Sequence, residues 1–85
     1  MIEKKWFVYL IRCMDGSFYT GVTNDLEKRM NNHKSGKGSK YVASRGFGEL
    51  LAWKECLSKS EACKHEYFIK QLNRNDKIEW FRSGL

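Results

Sequence analysis

Trp6-Phe7-Val8-Tyr9-Leu10-Ile11-Arg12-Cys13-Met14-Asp15-Gly16-Ser17-Phe18-Tyr19-Thr20-Gly21-Val22-Thr23 decides the fold. From Trp6 to Cys13, aromatic and branched residues occupy both alternating faces, the pattern of a strand covered on two sides and therefore central in its sheet. Asp15-Gly16 is a turn signal that sends the chain back along Phe18 to Thr23 as a β-hairpin. Opposed residues of an antiparallel pair point the same way, and their numbers have a constant sum. A three-residue loop, with Gly16 left-handed, sets Tyr9 against Gly21 and Ile11 against Tyr19, so both tyrosines share a face. A two-residue turn at Asp15-Gly16 sends them to opposite faces.

Downstream, Asn24 followed by Glu27 forms a capping-box pattern, which starts a helix running to about His33. Its inward stripe is Leu26, Arg29, Met30 and His33, in which Arg29 and His33 are polar and must be satisfied internally or face a cleft. Ser35 to Lys40 reads as a flexible basic loop, and Gly46 and Gly48 bracket a turn before a third strand from Leu50 to Leu57. Ser58 or Ser60 caps a second helix, with Ala62, Glu66 and Ile69 on one stripe and Phe68 and Leu72 widening its apolar face. Asn73 to Asp76 breaks that helix, and Lys77 to Arg82 forms a short closing one. The expected class is α/β (α+β): a small, mainly antiparallel three-stranded sheet flanked by helices.

With 85 residues the chain reads as a single domain, 1–85, in which every element must contribute to one core. Sixteen Lys and Arg against ten Asp and Glu give a net charge of +6, a positive field suited to polyanions. No apolar run approaches the ~20 residues a membrane span needs, and Met1 to Trp6 lacks the apolar stretch of a signal peptide. The expectation is a cytoplasmic protein with no membrane partner. Cys13, Cys56 and Cys63 form no CxxC pair, so reduced buried thiols are the default; a zinc site from Cys63, His65 and a remote cysteine matches no usual finger spacing.

Several polar residues stand where chemistry is possible. Glu66 suits a hard divalent cation, against the plainer reading of a surface ion pair with Lys70. Arg29 offers a permanently charged fork for a phosphate, against an ion pair with Asp25. His33 can bond a phosphate or orient a tyrosine, or simply be a satisfied core residue. Tyr41 lies in the basic region with Lys37, Lys40 and Arg45, where it can stack on a base or hold a phosphate. No HExxH, phosphate-loop or paired-carboxylate spacing competes.

Phe7-Val8-Tyr9 and Tyr19-Thr20-Gly21, the helix start Thr23 to Arg29, and Ser60 to Lys70 around Glu66 together resemble the GIY-YIG nuclease family over nearly the whole chain, in its small single-domain form. The resemblance implies that both tyrosine hydroxyls enter one site, which selects the three-residue loop. It implies catalytic roles for Tyr9, Tyr19, Arg29, His33 and Glu66, with Glu66 holding Mg²⁺ or Mn²⁺ and one tyrosine positioning or activating the water. Gly21 keeps the structural place where a side chain would crowd the site. Phe7 replaces the first triad's glycine, Thr20 an aliphatic residue, and Val22 stands where some members carry a lysine, a role that then falls to Lys37 or Lys40. The implied activity is metal-dependent endonucleolytic hydrolysis of DNA in repair or processing, on branched, flapped or damaged forms rather than a defined sequence, since even one recognition module buries ~600–1,000 Å². The rivals are a non-catalytic nucleic-acid binding module and a domain that recruits a larger nuclease or repair partner.

Overall fold

In the computed structural model, which describes residues 5–83, β1 (Trp6–Cys13) is the middle strand of a three-stranded antiparallel sheet. It pairs with β2 (Phe18–Thr23) on one side and β3 (Phe47–Cys56) on the other. The reading of the first residues as lacking a signal peptide rests on residues 1–4, which lie outside the described ones.

The hairpin takes the three-residue loop. Tyr9 pairs with Gly21 and Ile11 with Tyr19. The Cys13 amide donates to the Ser17 carbonyl at 2.7 Å, the Gly16 amide donates to the Cys13 carbonyl at 2.9 Å, and Gly16 has φ +87°. That left-handed backbone is the reason for a residue without Cβ at this point. Asp15 tightens the loop by accepting from the Ser17 amide at 3.0 Å and the Ser17 hydroxyl at 2.6 Å.

Because β1 alternates apolar residues on both faces, two cores form. Tyr9, Ile11 and Cys13 pack with Met30 and Val42 on one face, and Val8 packs with Cys56, Ala62 and Ile69 on the other. The first face is covered by α1 (Leu26–Lys34) and α2 (Lys40–Arg45), the second by α3 (Lys59–Lys70) and α4 (Arg74–Arg82). Val22 packs against the second core, which explains an apolar residue there.

Several boundaries differ from the sequence reading. Asp25, not Asn24, caps α1, its carboxylate accepting from the Lys28 amide at 3.1 Å. Thr23 Oγ1 accepts from the Asp25 amide at 3.1 Å and donates to the Asp25 carbonyl at 3.2 Å, a local turn that moves the helix start on by one residue. The stretch read as loop and turn contains α2, capped by Ser39, whose Oγ accepts from the Val42 amide at 3.1 Å. Gly46 ends that helix, and Gly48 lies inside β3, which starts at Phe47 rather than Leu50. Ser58 caps α3 and Asn73 caps α4, so the closing helix begins at Arg74 rather than Lys77. Phe68 is exposed and does not widen the buried face of α3.

Candidate functional site

Tyr9 stands at the start of the site because its strand leaves its side chain nowhere else to go. It projects across its partner Gly21, and a Cβ there would lie 2.5 Å from the Tyr9 hydroxyl oxygen and 3.0 Å from Cε2 of Tyr19. The phenol therefore rests over β2, the outer strand, with only 1 % of its surface exposed. There its hydroxyl is hydrogen-bonded to His33 Nε2 at 2.9 Å.

His33 is delivered by the last turn of α1 and is 2 % exposed. Its ring meets Tyr9 and Tyr19 edge-on, with centroids 5.8 and 5.5 Å away. Gly38 closes over the other side, where any Cβ would collide with Nδ1, a buried nitrogen with no hydrogen-bond partner in the described structure. The ring contacts continue outward: Tyr19 lies 6.3 Å from Tyr9 and 5.8 Å from Tyr41, and Tyr41 is 38 % exposed. A ladder of rings thus runs from the buried phenol to solvent, the kind of surface on which a base can stack.

Two charges of opposite sign bear on Tyr9 from helices on opposite faces of the sheet. Burial pushes its pKa well above the usual phenol value, Tyr19 and the Glu66 carboxylate push the same way, and the Arg29 guanidinium pulls against them. Arg29, half-buried on α1, has no ion-pair partner among the described residues. The Asp25 carboxylate that might have served is occupied as the helix cap. Glu66, half-buried on α3, is 3.3 Å from Lys70 in an i,i+4 ion pair. Pairs of this kind contribute only about 0.3–0.5 kcal/mol, so a divalent cation can displace the lysine. One carboxylate suits Mg²⁺, which keeps several of its waters.

The basic residues lie on the α1–α2 loop and on α2. Lys37 and Lys40 are exposed, in the α1–α2 loop and at the start of α2. Arg45 is engaged twice, 2.7 Å from Asp15 and with its guanidinium carbon 4.4 Å from the Tyr41 ring centre. Gly38 is the member of this surface that sequence reading passed over, and only its contact with the His33 ring reveals it.

His33 should make the fold acid-sensitive. Burial first, and the Arg29 charge second, hold its pKa below the ordinary value. Above about pH 6.5 the ring is neutral in both folded and unfolded chains; below it the unfolded chain gains a proton that the folded one resists, so stability falls with pH. The urea midpoint should therefore drop between about pH 7 and 5. An equal drop in His33→Gln would assign the effect to another group.

A family model described as the GIY-YIG catalytic domain matches residues 5–79. The UPF0213 protein of Oceanobacillus iheyensis is 47% identical over 78 residues, covering 92% of this chain and 91% of its own. That of Staphylococcus epidermidis is 42% identical over 80 residues, 94% of this chain and 98% of its own. Among solution NMR structures, a UPF0213 protein from Bacillus halodurans is similar at a TM-score of 0.55 with 44% identity, covering 89% of this chain and 81% of that one. A protein from E. faecalis is similar at 0.66 with 33% identity, covering 95% and 86%. With the matched residues spanning both tyrosine strands, α1 and α3, the chain belongs to the GIY-YIG family.

Proposed function

We propose that this protein is a metal-dependent endonuclease that hydrolyses phosphodiester bonds in DNA, acting on branched, flapped or damaged forms during repair or processing. The family is one of catalytic domains, generally nucleases. The observation that carries the reading is the buried Tyr9–His33 hydrogen bond, with Tyr9 under the opposing charges of Arg29, which has no ion-pair partner among the described residues, and Glu66, whose lysine partner is displaceable. Hydrolysis of a phosphodiester needs a positioned water, cationic charge near the developing phosphorane oxygens, and help for the leaving oxygen.

Glu66 would hold Mg²⁺ or Mn²⁺, which supplies Lewis acidity at the phosphate. Arg29 binds the scissile phosphate with its fork of donors. Tyr9, buried and held protonated by its surroundings, is a positioning residue that fixes the imidazole through its hydroxyl. Tyr19 is the more exposed phenol and is the one that reaches the attacking water. Lys37, Lys40, Tyr41 and Arg45 carry the backbone and one stacked base past the site.

The test is cleavage of branched, single-stranded and plain duplex DNA in Mg²⁺ or Mn²⁺. Cleavage should require the ion, stop on chelation and favour the branched substrate. Binding without cleavage under every ion would leave a nucleic-acid binding module instead.

A further inference from the structure

A second group of ligand atoms lies away from the tyrosines, where β3 ends and α3 begins. Cys56, the last residue of β3, is buried, and Ser58 caps α3 by accepting from the Glu61 amide at 3.1 Å. Glu61 and His65, four residues apart, are partly buried, and their ligand atoms and the Cys56 sulfur all lie within 4.8 Å of one another. The His65 ring is steadied by Trp80 of α4, with centroids 4.9 Å apart.

The plainer account is a helical Glu–His pair beside a buried free thiol. The geometry also accommodates an ion. His65 Nε2 and Glu61 Oε1 are 3.6 Å apart. A charge-assisted hydrogen bond would bring them to about 2.7–2.9 Å. Two ligand atoms each about 2.0–2.1 Å from a tetrahedral ion stand ~3.3 Å from each other, close to the spacing seen. The thiol's hydrogen bond is a weak one, 3.6 Å to the Lys54 carbonyl. Sulfur, imidazole and a single carboxylate form a donor set for Zn²⁺, whereas Glu66 offers oxygen alone.

We infer that Cys56, Glu61 and His65 form a Zn²⁺ site, with water as fourth ligand, that ties the end of β3 to the first turns of α3. The zinc set weighed on the sequence was Cys63, His65 and a remote cysteine, which matched no usual finger spacing; the fold gathers Cys56, Glu61 and His65 and leaves Cys63 outside the group. The ion's effect is structural. It fixes the helix that carries Glu66, the residue after His65. The site stands independently of the proposed nuclease activity.

The full chain, stripped of metal by a chelator, should take up one Co²⁺ with a thiolate-to-cobalt charge-transfer band. The band should vanish in Cys56→Ser, weaken in the partly exposed His65→Gln, and persist in Cys63→Ser and Glu66→Gln. Zn²⁺ should displace it and, at about a hundredfold over its Kd, raise the thermal midpoint by on the order of 10 °C, where equal Mg²⁺ should not. Absence of the band in the wild-type protein at saturating Co²⁺, or its survival in Cys56→Ser, would overturn the inference. If Cys56→Ser does not fold, an unweakened band in folded His65→Gln is equally decisive against it.

Discussion

Glu66→Gln should reduce DNA cleavage by about a thousandfold or more, since a bound divalent ion supplies several kcal/mol of transition-state stabilisation and each ~1.4 kcal/mol is a factor of ten. Glutamine keeps the shape and the hydrogen-bonding capacity of the side chain but not the charge that holds the ion. The fold should tolerate the change, because the Lys70 pair it breaks contributes only about 0.3–0.5 kcal/mol and Glu66 is partly solvated. DNA affinity measured in chelator should be equal or slightly higher, as one phosphate-repelling charge has gone. Arg29→Ala separates the two steps differently: it removes a phosphate contact as well as transition-state charge stabilisation, so both binding and cleavage should fall. Wild-type cleavage by Glu66→Gln, at matched folding and ion concentration, removes Glu66 from the reaction.

What was legible in the sequence follows from the range over which each signal acts. The hairpin register depends on five residues around Gly16; turn chemistry and strand alternation left two loops open, the family resemblance chose between them, and the structure takes the three-residue loop that sets both tyrosines on one face. The central place of β1 showed in its two-sided apolar pattern, and the two cores it supports confirm that reading. The α1 cap was read one residue early, at Asn24 rather than Asp25, because the deciding interaction is a Thr23 hydroxyl turn that no periodicity reports. Helix α2 was missed because six residues hold under two turns of pattern, and its glycine-rich approach reads as loop. The flexible reading of that approach also hid Gly38, whose value lies in having no Cβ against the ring of His33 in the last turn of α1.

Polar residues on the inward stripes of both helices, Arg29 and Glu66, gave the expectation of one site shared with Tyr9 and Tyr19. What the stripes do not report is that the two helices lie on opposite faces of the sheet. Charges from both layers bear on Tyr9, which reaches over Gly21 of the edge strand β2. The fold class could be read from periodicity; the site required the strand order.

Gly21→Ala tests that geometry with a single methyl group. An added Cβ would fall 2.5 Å from the Tyr9 oxygen and 2.6 Å from Cζ, far inside contact distance. Tyr9 cannot retreat easily, because it is fully buried with His33 hydrogen-bonded to its hydroxyl and Tyr19 beside it. Overpacking of this kind costs about 1–3 kcal/mol, which for a domain of this size lowers the thermal midpoint by roughly 4–8 °C per kcal/mol. The larger effect should be on chemistry. Tyr9 must swing away, the bond to His33 lengthens, and Tyr19, whose Cε2 would be 3.0 Å from the new carbon, is displaced with it. A misplacement of about 1 Å at a reacting group can cost a hundredfold in rate, so cleavage should fall by roughly that factor at temperatures where the variant remains folded. DNA binding through Lys37, Lys40 and Tyr41 should persist, since those residues lie on the α1–α2 loop and α2 rather than on β2. Gly21→Ala cleaving at the wild-type rate with a wild-type midpoint would mean that the tyrosine pair does not need this packing, and the assignment of Tyr9 as the positioning residue would fall.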